Sequence, residues 1–347
     1  MKAHKKGVKP NGVVTMRDVA LKAGVSQGTV SRVLNGTPTS ISISSDTQQR
    51  VMQAVEELGY YPNLAARTLR TQRTHLIAIM IADISNPFYH SIVRTIQDIV
   101  RVKDYDVMIA NTDHHYEDEK RFCAAVMRRA VDGVIMVPFH LSTEEIDQVI
   151  KRTGTSIVAL GKHITHPEVD LVYADDQLAT YQGVHWLIAD QGHQHIGFIG
   201  VPDSFPPGPR RLHGYEAALT EAGIALNPEY MVFGDFTAET GYQSMQNFLS
   251  LPTPPTAVFC CNDRIAIGAI AAAQDMGRRV PTDVAVIGFD NIPEATLIRP
   301  HLTTMAQHPV EMARQLAQAL LERIEGKYTG TQRMFEVPCT LIRRDSA

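Results

Sequence analysis

Gln27 and Arg32 stand near the N-terminal end of a short helical pattern, with Gly28, Thr29 and Ser31 on the same outward side. An amide suits the edge of adenine and a guanidinium the edge of guanine, each through two hydrogen bonds. Such groups at the start of a helix are what a helix-turn-helix offers to a DNA groove. Two short amphipathic helices around a glycine also occur in ordinary α-helical domains, so spacing alone leaves that alternative open.

Other residue groups promise chemistry and do not hold up. Gly24-Val25-Ser26-Gln27-Gly28 spells G-x-S-x-G, the hydrolase nucleophile motif. That motif needs a strand before its serine. Here a helical pattern precedes it, so Ser26 is expected to cap the next helix. His114-His115 and His193-x-His195 have no third ligand placed by spacing and are expected to be surface histidines. Cys123, Cys260, Cys261 and Cys339 form no C-x-x-C, which argues against a zinc site or disulfide scaffold and fits a reducing cytoplasm. No P-loop occurs and no G-x-G-x-x-G follows the first strand, so no cofactor is expected.

The elements that must position Gln27 and Arg32 are legible. Thr15 caps a first helix, with Asp18 in capping-box position. Met16, Val19, Ala20 and Ala23 recur at helical spacing on one apolar face. Gly24 turns the chain, Ser26 caps the second helix, and Val30, Val33 and Leu34 pack it on the first. After a polar loop, Thr37 to Ser42, a third helix is capped near Ser44 or Ser45. It turns Val51, Ala54, Val55 and Leu58 inward and ends at Gly59 and Pro62. Next comes NLAARTLRTQR, Asn63 to Arg73, too short to stay helical by itself in water.

Charge divides the chain in the same place. The whole carries a formal −4, but residues 1–73 hold 11 Lys and Arg against 4 Asp and Glu, so this part is +7 and the rest −11. A basic head on an acidic body suggests that only the head meets phosphate. The start, MKAHKKGVKPNG, lacks the apolar stretch of a signal peptide, and no apolar run is long enough to span a membrane.

From His75 the pattern is strand, helix, strand. HLIAIMIAD, VMIAN, GVIMVP and SIVAL alternate with helices near 87–102, 116–130 and 143–151. It begins again at 177: helices near 177–190, 211–222, 239–249 and 263–275 alternate with HIGFIG, YMVFGD, AVFCC and VAVIGFD. LTTMAQ, a helix near 309–325 and the strand-like MFEVPCTLIRR close the chain. Alternation of this kind means parallel, helix-flanked sheets. Two such lobes in tandem bind ligands at the carboxyl ends of their strands, in the cleft between them.

In these stretches the chain resembles the LacI/GalR family of bacterial transcription regulators. The likeness runs through TMRDVALKAGVSQGTVSRVLNG and LGYYPNLAARTLRT, then NPFY, DGVIMVP, RLHGY, GDFTAETGY, NDRIAIGA, VPTDVAVIGFDNIP and LTTM. It implies an N-terminal three-helix helix-turn-helix head and an α/β, periplasmic-binding-protein-like body of two doubly wound lobes. The expected divisions are a disordered basic tail (1–14), the DNA-binding domain (15–62), a hinge helix or linker (63–74) and an effector-binding and dimerisation domain (75–347). Its first lobe is expected from about 75–174 and 307–336, its second from about 175–306 and 337–347.

The resemblance also implies the site residues. In the head they are Thr15, Ser26, Gln27, Gly28, Thr29, Ser31, Arg32 and Asn35, and in the linker Asn63, Ala66 and Leu69. Leu69 matches the hinge leucine that wedges into the minor groove. Gly28 departs from the longer side chains usual there, and the loop at 37–42 looks longer than usual. In the body Asn86, Phe88, Tyr89, Asp113, Arg211, Phe236, Asn262 and Asp290 match effector-lining positions, with Lys162 and His163 as weaker candidates. The expected partners are pseudo-palindromic operator DNA, a small effector of the sugar class, and a second copy in a homodimer. No leucine-heptad tail follows, so a tetramer is not expected. A cytoplasmic repressor released by its inducer fits best. A secreted sugar carrier lacks a reason for the head, and an enzyme lacks a nucleophile–base or metal constellation.

Overall fold

A computed structural model describes residues 14–35, 43–61 and 73–347. The basic tail, the 37–42 loop and the hinge positions Asn63, Ala66 and Leu69 lie outside the described residues. The chain divides into two compact units, Met1–Thr74 and His75–Ala347.

In the first unit, α1 (Met16–Ala23), α2 (Gln27–Asn35) and α3 (Ser45–Leu58) surround a small core of Val19, Ala20, Ala23, Val30, Val51, Ala54 and Tyr60. The backbone N and hydroxyl of Thr15 both donate to Asp18 Oδ2, at 2.9 and 2.7 Å. Gly24, with φ of 65°, makes the turn that most residues avoid. Ser26 Oγ accepts from Thr29 N at 3.1 Å, and Ser44 Oγ accepts from Thr47 N at 3.3 Å. Ser26 is therefore a helix cap. Arg50 Nη1 donates to the Ala23 carbonyl and ties α3 to the end of α1.

The second unit holds two six-stranded sheets. The chain forms β1 (Leu76–Ile81), α4 (Pro87–Arg101), β2 (Asp106–Asn111), α5 (Tyr116–Arg128), β3 (Gly133–Met136), α6 (Thr143–Thr153), β4 (Ser156–Leu160) and β5 (Asp170–Tyr173). It continues as α7 (Asp176–Ala189), β6 (Ile196–Gly200), α8 (Pro207–Glu221), β7 (Met231–Phe233), α9 (Ala238–Leu249), β8 (Ala257–Cys260), α10 (Asp263–Asp275) and β9 (Ala285–Asp290). β10 (Thr303–Ala306), α11 (Pro309–Ile324), β11 (Met334–Glu336) and β12 (Thr340–Ile342) complete it. The first sheet has the order β11-β5-β4-β3-β1-β2 and the second β12-β10-β9-β8-β6-β7. All pairs are parallel except β10 with β12.

Period-two alternation explains why both faces of the first sheet are covered. Ile77, Ile79 and Ile81 of β1 enter one core beside Ile92, Ile96 and Leu316, while Ala78 and Met80 enter another beside Phe122 and Ile146. α9 and α10 approach closely at glycine: a Cβ at Gly241 or Gly268 would strike the opposing backbone. Two details differ from the expected pattern. The four-residue strand β5 does not announce itself by alternation. Helix α8 starts at Pro207, ahead of the expected 211, because proline fits the first helical turn, where its missing N–H costs nothing.

The chain crosses between lobes after β5, after β10 and after β11. The last return is pinned by Asp170, whose fully buried carboxylate accepts from Arg323 Nε at 2.7 Å and Nη2 at 2.5 Å. It also takes Arg333 Nη2 and backbone N, both at 2.8 Å, joining β5, α11 and the start of β11. These bonds hold its pKa below the ordinary carboxylate value despite burial. A lowered folded pKa contributes stability above the unfolded value, lost as pH falls through the folded one. Asp170→Ala leaves two guanidiniums without their shared partner and is expected to cost about 3–5 kcal/mol at neutral pH. Urea unfolding curves check this; a loss below about 1 kcal/mol would refute the pinning role.

Candidate functional site

The head presents its chemistry on α2. Gln27, Gly28 and Arg32 are exposed, while Thr29 and Ser31 are half-buried. The Ser26 and Thr29 hydroxyls bond each other at 2.9 Å, which braces the first turn. Gly28 is not there for lack of room. A Cβ would meet only ordinary contacts, 3.6 Å from Ser26 Oγ and 4.0 Å from Arg32 Nη2. The guanidinium thus lies along the side of the helix that glycine leaves open.

In the body, strand ends and helix starts from both lobes converge on a cleft of about 740 Å³, counting its open side. Of the eight body residues expected from sequence, six line it: Asn86, Phe88, Tyr89, Arg211, Phe236 and Asp290. Asn86 also caps α4, accepting from Phe88 N at 3.1 Å. Asp113 and Asn262 do other work. Asp113 is exposed at a turn with φ of 46° and accepts from Asn111 Nδ2 at 2.7 Å. Asn262 caps α10 through Ile265 N at 2.8 Å and donates to the Phe236 carbonyl at 3.2 Å. It positions Phe236 and does not line the cleft.

Several lining residues were missed or misread in the sequence. His114, expected at the surface, packs between lobes. Its ring stacks on Phe205 at 5.1 Å and meets Phe139 edge-on at 4.5 Å. Phe205 lies parallel to Phe236 at 5.9 Å, so four rings from both lobes gather at one end. Phe139 is held by Glu119, a buried carboxylate accepting from the backbone N of Phe139, His140 and Leu141 at 2.7–3.0 Å. No linear motif connects these residues. Lys162 turns to Asp175, 3.6 Å away, but His163 lines the cleft.

Charge in the cleft is paired internally. Arg210 donates to both oxygens of the buried Asp176, at 2.6 and 3.0 Å. Arg211 Nε lies 3.6 Å from the same carboxylate, its guanidinium sits 3.9 Å over the Phe289 ring, and Nη1 donates to the Cys261 carbonyl. Asp290 accepts from Gln307 at 2.5 Å. Tyr89, buried and near Asp290 and Asp83, has its phenol pushed above the usual range. Arg264 of α10 reaches Asp83 Oδ2 at 2.8 Å and Ser85 Oγ at 3.3 Å, an ion pair between the lobes. Such an arrangement can hydrogen-bond a small hydroxylated molecule and stack on a ring. Among the described residues no group of three His, Cys, Asp or Glu is placed to hold a metal. None of their helices is long and apolar enough to cross a membrane.

Residues 15–63 match the family model described as "Bacterial regulatory proteins, lacI family", and residues 187–347 the one described as "Periplasmic binding protein-like domain". The HTH-type transcriptional repressor CytR of Escherichia coli (strain K12) is 36% identical over 98% of this chain and 98% of its own. The structure described as a "transcriptional regulator CelR-cellobiose complex" is 30% identical with a TM-score of 0.72, covering 96% of this chain and 100% of that one. The Lac repressor dimer bound to operator and the anti-inducer ONPF is 27% identical with a TM-score of 0.82, covering 96% and 99%.

Asp290 makes the cleft sensitive to pH. Burial pushes its pKa from 3.8 up to about 6, against the opposing pull of Arg211 and Gln307. With the folded pKa raised, its contribution to stability is full below about pH 4 and is lost as pH rises through about 6. A rise from 3.8 to about 6 corresponds to roughly 3 kcal/mol between the two protonation states. Asp290→Asn is therefore expected to melt higher than the wild type at pH 7.5 and to lose that advantage by pH 4. Melting curves across this range check it; equal stability at pH 7.5 would contradict the buried charge.

Proposed function

Since the chain belongs to the LacI family of bacterial regulatory proteins, we propose that it is a homodimeric repressor whose hold on operator DNA is set by a small effector in the cleft. The observation that carries this reading is the presence in one chain of an outward Gln27–Arg32 face and a cleft lined by paired polar groups and rings. The protein is a DNA-binding transcription regulator, not an enzyme. In the proposed complex two heads meet two half-sites of a pseudo-palindrome in the cytoplasm. Gln27 and Arg32 read bases in the major groove. Thr15, Ser26, Thr29, Ser31 and Asn35 complete the contact set around Gly28. Asn63, Ala66 and Leu69 serve the minor groove, with Leu69 as the wedge that bends the duplex.

The effector proposed is a sugar. Asp290 with Gln307, Asn86 and Arg211 supplies acceptors and donors for hydroxyls, and the CelR neighbour carries cellobiose. A second reading, a sugar joined to a flat ring, is favoured by the Phe139, His114, Phe205 and Phe236 cluster. The effector acts through its different affinity for two arrangements of the lobes. Any change in their angle must break or remake the Arg264–Asp83 pair.

Two experiments test this. Arg32→Ala should cost about 1–3 kcal/mol of operator affinity and relax base preference, while binding falls steeply with salt for both proteins. Binding by a purified dimer to a selected palindrome is the measurement; no preference over bulk genomic competitor would sink the reading. A thermal-shift panel of sugars and nucleosides should contain a compound that raises the melting temperature, because a ligand of the native state stabilises by mass action. The same compound should change operator affinity, and a binder that leaves it unchanged would refute the control mechanism.

A further inference from the structure

His163 is half-buried in the cleft with both ring nitrogens enclosed, and neither makes a well-formed hydrogen bond within the protein, although the Pro138 backbone lies close enough to bias the ring. Polar atoms so enclosed are normally satisfied, and an exception points to a missing partner. The backbone is shaped to admit this ring. Gly161 has φ of 118°, a conformation that residues with side chains rarely adopt, and a Cβ there would stand 3.1 Å from the His163 ring. Any larger residue at 161 would crowd the imidazole.

The charges around it cancel. Arg210 and Arg211 face Asp176 and Asp290, two positive groups against two negative. Burial and the nearby Arg210 push His163 down to about 4, and burial lowers His114 as well, so both rings are neutral at pH 7. Asp113 and Asp235, close enough to bias His114, only add negative charge nearby. A neutral imidazole offers one donor and one acceptor, which suits hydroxyls. An anionic ligand would have to compete with Asp176 and Asp290 for both lining guanidiniums, whereas the Arg211 Nε–H, 3.6 Å from Asp176 and without a hydrogen-bond partner, can be met by a neutral hydroxyl.

We propose that His163 is a specificity-determining contact for the effector, and that the cleft admits an uncharged, hydroxyl-bearing ligand while rejecting its phosphorylated or acidic counterpart. This rests on the cleft being the effector site.

The test is a binding panel on the full chain. Neutral pentoses, hexoses, disaccharides and nucleosides are each measured beside the matching phosphate ester or sugar acid, by thermal shift and then calorimetry. A neutral member should bind, and its charged counterpart should bind at least ten-fold more weakly. His163→Leu should weaken the neutral ligand ten-fold or more, and His163→Gln, which keeps a donor and an acceptor, by only a few-fold. His163→Lys should narrow the gap in favour of the phosphate ester. If ester or acid binds as well as the neutral form, the charge argument falls while the effector site stands. If His163→Leu binds the neutral ligand as the wild type does, the contact falls. If no member of either kind binds, the effector reading falls and this inference with it.

Discussion

The buried carboxylate of Asp176 is the interaction on which the body depends most. Two arginines adjacent in sequence, Arg210 and Arg211, reach into the cleft, where two bare guanidiniums would repel each other with little water to screen them. Asp176 stands in the first turn of α7, immediately after the chain enters the second lobe, and faces both. The approach of α7 and α8 that permits this is tight, since a Cβ at Gly214 would strike the Gln177 carbonyl. With its charge balanced, Arg211 sits over the Phe289 ring, bonds the Cys261 carbonyl and faces Asp290. The polar end of the cleft is thus built before any ligand arrives. Preorganisation of this kind lowers the cost of binding.

The lobes are joined in ways that allow change without loss of integrity. Each has its own sheet and covering helices, and the covalent links are three crossover segments. Asp170 secures the last return within the first lobe by pairing with arginines on α11 and at the start of β11. Between lobes the contacts are smaller: the Arg264–Asp83 pair and the four-ring cluster around His114. Exchangeable contacts over a rigid base are what a switch between two arrangements requires.

The head works on a different scale. Among the described residues its core is seven buried side chains, held by caps and the Arg50 bond to the Ala23 carbonyl. A bundle of that size has little stability to spare. Its function lies in side chains left outside the core, so Gln27 and Arg32 stand out by being polar on a helix whose other face is buried.

Local physics made much of this legible from sequence. Short apolar runs alternating with helical segments announced the parallel strands, and periodicity with caps announced the three head helices and the Gly24 turn. Asn86, Arg211, Phe236 and Asp290 could be assigned to the cleft through the resemblance to the family, and parallel sheets, which bring the carboxyl ends of their strands together, say where such a cleft must lie. Only tertiary structure could separate Asp113 and Asn262 from them, since a turn carboxylate and a helix cap look the same in sequence as a lining residue. Nor could sequence bring His114, Phe139, Phe205 and Phe236 into one cluster, or enclose His163 beside Gly161. Their meeting depends on how two lobes fold against each other across long sequence separations. Sequence therefore determined the elements and the chemistry available at their ends. Folding decided which of those groups share a cavity and lose their water, and with that which are neutral and which are paired.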